Sequence, residues 1–329
     1  MEFFFRKLKI IYRICISIFG FVYHCKRFIF SSGITLDYSD KLIRSYDSIR
    51  IAHALEKSMS FSNRKVNSGW FDAIKLKDLL KESDPKKLDD AEIISILTLK
   101  KFLNFKENKA NQNRLLFYDF LTKFKKINKK KLKAGVEVKN KNFFRRGVLK
   151  NNEQFFNSRY SIRDFKKSKV NINLIDKAVK LASKTPSVCN RQSWHVYHSS
   201  NKKVISKVLS FQSGNRGFAK LIPNLVIITT DLKSFLTGKE IYQQWIDGGL
   251  FSMSFIYAMH SIGVATCPLN WSQDPITDKN IRKSINIKTN QTIIMMIAIG
   301  HYKDNTTVCI SSRLKNRKSW SEIKLKKNI

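Results

Sequence analysis

A chain of 329 residues, 43% hydrophobic and 12% aromatic, has material for one large or two ordinary packed domains and is not globally disordered. Its five scattered cysteines (Cys15, Cys25, Cys189, Cys267 and Cys309) include no C-x-x-C pair, which excludes a zinc ribbon or disulfide framework and fits a reducing cytosol. The formal net charge of +37 would attract nucleic acid, anionic lipid or an anionic ligand, or it reflects only a lysine- and asparagine-rich background.

The opening stretch "MEFFFRKLKIIYRICISIFGFVYHCKRFIF" is apolar and basic. Its apolar core, Ile14 to Tyr23, is about half of the ~20 residues a spanning helix needs, and "KRFIFSSG" is a poor cleavage site for a secretion signal. Two readings stay open: an amphipathic helix on an anionic membrane face, and a buried terminal helix. From Asp40 to about Lys133 the pattern is helical. "DKLIRSYDSIRIAHALEKSMS" has Asp40 as N-cap and Leu42, Ile43, Tyr46, Ile49 and His53 on one face; "SDPKKLDDAEIISILTLKKFL" and "NQNRLLFYDFLTKFKKI" supply two further helices. Lys123 to Arg146 carries eleven Lys or Arg against the single acid Glu137, without a zinc-finger spacing or aromatic RNA-binding signature; it reads as a solvated helix end followed by a linker.

After Asn152 the character changes. "NINLIDKAVKLAS" predicts a short helix, "SWHVYHS" and "NLVIITTD" two strands, and a long helix runs from Glu240 to a stop at Gly263. "VATCPLN", a helix from Pro275, and the strand "TIIMMIAIG" follow. Helices mixed with buried strands give an α/β or α+β layer fold. His53 and Glu56, one turn apart, lack a second pair to complete a metal site; neither a G-x-S-x-G elbow nor a Rossmann G-x-G-x-x-G turn is present, and "GNRG" at 214–217 is a loop. In "SRYSIRDF", Arg159, Ser161 and Arg163 alternate, so an extended segment aims all three one way, an arrangement suited to a phosphate dianion. In "TPSVCNRQSWHVY", Asn190 places a primary amide between a turn and a strand, as a turn cap or as a ligand.

"SRYSIRDF", "PSVCNRQSWHVY", "DGGLFSMSFIYAMHSIGVATCPLNW" and "IAIGHY", in that order over residues 153–316, together resemble the nitroreductase family of flavin enzymes. Ser193 departs from the family's usual proline. "RIAHALEKSMSF" faintly resembles an N-terminal extension of nitroreductase-like proteins found among polysaccharide-biosynthesis genes. The resemblance implies an α+β fold, a mixed sheet surrounded by helices, over residues 151–329, preceded by the segment 1–30 and an all-helical region 31–150. It further implies FMN held at a homodimer interface, with both subunits contributing. Arg159, Ser161 and Arg163, flanked by Tyr160, would take the phosphate and ribityl chain together with Arg313, with Lys315 as substitute. Pro186 and Ser187 would shape the turn, Asn190 would face the pyrimidine edge, and Gln192 would reach the ring edge or ribityl hydroxyls. Pro268 lacks an N–H, so the backbone of Asn270, or else Leu269, would donate to flavin N5.

The implied activity is hydride transfer from NAD(P)H through the flavin to a small-molecule acceptor, with no catalytic side chain of the protein's own. The expected setting is cytoplasmic, peripheral to the inner membrane face through residues 1–30. The competing reading is a basic membrane-surface or nucleic-acid binding protein with a non-catalytic domain of this type; nucleic acid is the weaker partner, because the chain lacks a recognition motif.

Overall fold

The computed structural model describes residues 2–61, 64–65, 67–125, 127, 132–311 and 320–325. Helix α1 (Glu2–Ser31) leads. Residues 5–22 of it stand almost wholly in solvent, so the buried-helix reading does not hold there. The helical stretch Phe5–Ser31 is also longer than the Ile14–Tyr23 core suggests, and by length and composition alone it could cross a membrane.

Helices α2 (Lys41–Ser60), α3 (Trp70–Leu79) and α4 (Asp90–Leu103) share a core of their own, with Leu55, Leu76, Leu99 and Phe102 at its centre. Asp40 caps α2 as expected, and Asp89 and Glu92 close a reciprocal capping box on α4. Leu42 lies 41% exposed, whereas Ser45, Asp47 and Ser48 are buried. The single-face reading of α2 missed this because the helix is covered on two sides, by α4 and by loops of the C-terminal half. The third expected helix shrinks to 3-10 turns and α5 (Tyr118–Lys123), and the basic run holds only α6 (Lys141–Arg145) among its described residues. Helix α7 (Asn152–Asn157) then leads into the second core.

Helices α8 (Ile172–Ala182), α9 (Lys202–Leu209), α10 (Gln243–Ser261) and α11 (Pro275–Ser284) surround strands β1 (Trp194–Ser199), β2 (Asn224–Asp231), β3 (Ala265–Asn270) and β4 (Gln291–Gly300). The strand order is β1-β2-β4-β3, with all three ladders antiparallel; a parallel bridge, Ser161 to Thr266, sits on the outer edge of β3. The fold class is α+β. β2 and β4 occupy the centre because they can be buried on both faces: Leu225 and Ile227 enter one apolar layer, Val226 and Ile228 the other. The second layer is closed by α8 and α10, through Ala178, Phe251 and Phe255. Gly248 permits this approach, since a Cβ there would overlap Ile294 of β4. Gly263 adopts φ 74° just past the end of α10, the left-handed stop expected of glycine.

The two cores are joined. Asp40 pairs with Lys233, the Tyr46 hydroxyl bonds Asp231, and Gly33 N–H donates to the Phe235 carbonyl. Helix α2 packs on the turn at 188–190 and on the corner at 232–234.

Candidate active site

Residues 159–166 run extended along the free edge of β3. Ile162 N–H donates to the Thr266 carbonyl and Lys166 N–H to the His301 carbonyl. Ile162 enters the core, so Ser161 and Arg163 on either side of it, with Arg159, turn outward as alternation requires; the alternation ends after Arg163, where Phe165 also enters the core. Gly300 makes room for this: a Cβ there would collide with the Phe165 ring.

All three outward side chains, with Tyr160, line one cavity of about 730 Å³. Met253, Ile256 and Tyr257 of α10 form its apolar wall, Pro268 of β3 its floor, and Cys309 to Ser311 its far side. Arg163 bonds the Ser161 carbonyl at 3.3 Å and Cys309 Sγ at 3.6 Å. Among the described residues neither Arg159 nor Arg163 is paired with a carboxylate. Burial pushes the Cys267 thiol up, and Arg163 and Arg159 pull it back only in part; Tyr302 is likewise raised by burial against Arg159. Two uncompensated cations and a hydroxyl beside an apolar wall suit a phosphorylated flat ring: a dianion at one end and a dry stacking surface beside it.

Of the suggested N–H donors near this cavity, the strand geometry separates two. The Thr266 carbonyl faces outward to Ile162, so the backbone groups of Pro268 and Asn270 face outward too, while those of Leu269 point into the ladder with Met296. Pro268 has no N–H, which leaves Asn270 with an outward one. Its backbone carbonyl accepts from Gln212 Nε2 at 3.1 Å, and its side-chain Nδ2 donates to Ser272 Oγ.

The turn at 186–192 is built differently. Cys189, Asn190 and Gln192 take positive φ of 49°, 55° and 51°, a conformation that asparagine tolerates and the other two resist. Ser187 Oγ accepts from Gln192 N–H, and Gln192 Nε2 reaches Asn190 Oδ1 at 3.3 Å; Pro186 stays exposed. The fully buried Arg191 side chain holds the strained loop. It donates to the Ser234 carbonyl at 2.6 Å and forks onto Glu240 at 2.5 and 3.1 Å. Burial would raise the Glu240 carboxyl, but Arg191 outweighs it and holds the group below its ordinary range. Asp247 of α10 accepts the Val188 N–H and is itself pushed up by burial. Sequence reasoning passed over Arg191, Glu240 and Asp247; their signal is charge inside an otherwise apolar neighbourhood.

One protomer does not bring Asn190 to the arginine segment. Its turn sits at Asp247, and the cavity begins at Met253 and extends to Tyr257, roughly 9–15 Å farther along α10 at 1.5 Å per residue. Arg313 and Lys315 lie outside the described residues, two and four positions beyond Ser311 on the cavity rim. His53 Nδ1 is 3.5 Å from Glu56, whose other oxygen accepts the Gly135 N–H.

Residues 157–229 match the model of the Nitroreductase family. A curated protein of Archaeoglobus fulgidus, provisionally named an NADH dehydrogenase/NAD(P)H nitroreductase, is 23% identical over 151 residues, covering 45% of this chain and 83% of that protein. An FMN-dependent nitroreductase of Clostridium difficile aligns in three dimensions at 20% identity and TM-score 0.43, over 50% of this chain and 94% of its own. A nitroreductase with bound FMN from Bacteroides fragilis aligns at 15% identity and TM-score 0.41, over 52% and 98%. The matched segment takes in the arginine segment, the strained turn, β1 and most of β2. Over that segment the chain is similar to the nitroreductase family, and a helical N-terminal region precedes it.

Proposed function

We propose that the protein is an FMN-dependent oxidoreductase that passes hydride from NAD(P)H to a small-molecule acceptor and works as a homodimer. The observation that carries this is the cavity on which Arg159, Ser161 and Arg163 converge without a carboxylate among them. When bound, FMN would supply hydride acceptance and donation at its ring N5. The two guanidiniums hold its phosphate, and the Ser161 hydroxyl adds a donor. Met253, Ile256 and Tyr257 keep water from one side of the ring. Asn270 N–H is the outward donor available to the N5 edge, with Pro268 beside it. Asn190 would come from the second protomer, its amide matching the alternating donors and acceptors of a pyrimidine edge, with Pro186, Ser187 and Gln192 shaping that approach. Arg313, two positions after Ser311 in the sequence, would add a third cation.

The separation of the two motifs in one chain supports the dimer. A cytoplasmic setting fits the absence of any cysteine framework in the sequence. An acceptor from polysaccharide biosynthesis rests solely on the resemblance of residues 50–61.

Protein purified without added flavin should be yellow. Arg159→Ala with Arg163→Ala should weaken FMN binding by about 100-fold or more, since each charged hydrogen bond contributes about 1.5–3 kcal/mol. Colourless protein that also fails to take up FMN in a fluorescence titration overturns the proposal.

A further inference from the structure

Most polar and small residues of α1 fall on one line, with Lys7 and Lys26 off it. Arg6, Lys9, Arg13, Ser17, Gly20, His24 and Arg27 follow one another at intervals of three or four, so they share one side of the helix. The far end of that line is fastened to the C-terminal core. The His24 ring meets Trp245 edge-on at 5.5 Å, and Arg27 donates to the Thr289 and Gln291 carbonyls at 2.9 and 2.8 Å. Beside them Tyr23 donates to Asp278 at 2.7 Å, and Phe28 packs with Leu232 and Phe235. At this end of the helix the polar side therefore faces the protein, while Arg6, Lys9, Arg13 and Ser17 stand in solvent. The opposite line, Leu8, Ile11, Ile18 and Val22, faces away from it, at 47%, 56%, 59% and 54% exposure. Tyr12, Ile14, Phe19 and Phe21 widen this apolar surface well beyond a single stripe, and they too are exposed.

We propose that α1 lies in the interface of an anionic lipid bilayer, apolar side down, and holds the two folded cores against the membrane surface. Three observations select the bilayer. First, the width: a second copy paired along the 8-11-15-18-22 seam would cover that line and leave Ile14, Phe19 and Phe21 in water, whereas an interface covers them together. Second, the charge: from residue 3 to residue 36 there is no acid, while Arg6, Lys9, Arg13 and Lys26 offer cations to anionic headgroups. Third, the orientation: the polar line runs the full length of the helix, so lying flat keeps Arg13 at the headgroups, whereas spanning would carry it into hydrocarbon. The inference stands apart from the flavin reading, because none of these residues lines the candidate cavity.

The test is co-sedimentation of the full chain with vesicles of phosphatidylcholine, with and without phosphatidylglycerol. The expected result is binding to the phosphatidylglycerol vesicles, weakened by added salt and roughly tenfold or more weaker on phosphatidylcholine alone. Ile18→Asp with Val22→Asp should abolish it while far-UV circular dichroism and thermal unfolding stay unchanged, since both side chains are in solvent. Arg6→Gln with Arg13→Gln should remove the preference for the anionic vesicles. Failure of the full chain to sediment with phosphatidylglycerol vesicles overturns the proposal, as does undiminished sedimentation of the double Asp variant. If sedimentation velocity shows that variant dissolving an oligomer while vesicle binding is absent from the parent, the face belongs to a second copy instead.

Discussion

The two halves of the candidate site are built by opposite means. The arginine segment is relaxed, extended backbone attached to a sheet edge by main-chain hydrogen bonds, and its functional groups face outward because its neighbours face inward. The turn that carries Asn190 is strained, with three non-glycine residues at positive φ, and is held by buried charge rather than by a ladder. An extended segment needs no brace to aim its side chains, while a left-handed turn persists only where surrounding groups over-determine it. The consequence is an asymmetry: damage to the turn should reach the whole fold, and damage to the arginines should reach only the ligand.

The largest break in that comparison is Glu240→Gln. It leaves Arg191 buried and unpaired, and should cost about 3–5 kcal/mol in urea denaturation while releasing the turn. A loss under about 1 kcal/mol would mean the turn holds itself. The same pair sets an acid limit. The folded-state carboxyl of Glu240 is depressed, so its contribution is present above the ordinary glutamate range and fades as pH falls through that range and below. Glu240→Gln should flatten that limb of the stability-against-pH curve. Next in size, Gly300→Ala should cost about 1–3 kcal/mol, because the added methyl group displaces Phe165 and shifts the arginine segment above it; thermal unfolding and FMN titration should both register it. Ser193→Ala should be neutral or stabilising by up to about 1 kcal/mol, since the Ser193 hydroxyl is buried without a hydrogen-bond partner among the described residues. Smallest in stability is Arg163→Ala, expected within about 0.5 kcal/mol of the parent, with its whole effect in flavin affinity.

The relaxed half was the legible half. Alternation in 158–165 placed Arg159, Ser161 and Arg163 on one side, and the sheet edge keeps them there because Ile162 and Phe165 have a core to enter. The strands were readable for the same reason: an eight-residue run buried at every position, like Asn224–Asp231, leaves little else to be. The strained half gave up only its motif. The distance between Asn190 and the arginines depends on the path of α10, which no local pattern encodes, and the Arg191–Glu240 clasp joins residues 49 apart. Helix α3 went unread because its N-cap is Gly69 in a left-handed conformation, with no side-chain hydrogen bond to announce the start. The exposure of Leu42 was missed because the sequence does not say that α2 serves two neighbours. In α1 the stretch between Ile14 and Tyr23 drew attention by its apolarity, while the spaced line of cations and small residues that orients the helix is spread over 22 positions.

The seat of α2 against the 188–190 turn and the 232–234 corner bears on how the protein can be dissected. A fragment starting near residue 150 would keep every motif of the candidate site, yet it would strip Tyr46 from Asp231, Asp40 from Lys233 and a whole helix flank from the loop bearing Asn190. Such a fragment begins with an open wound beside its most strained backbone. The helical extension is therefore a structural partner of the C-terminal half, and the two should melt as one.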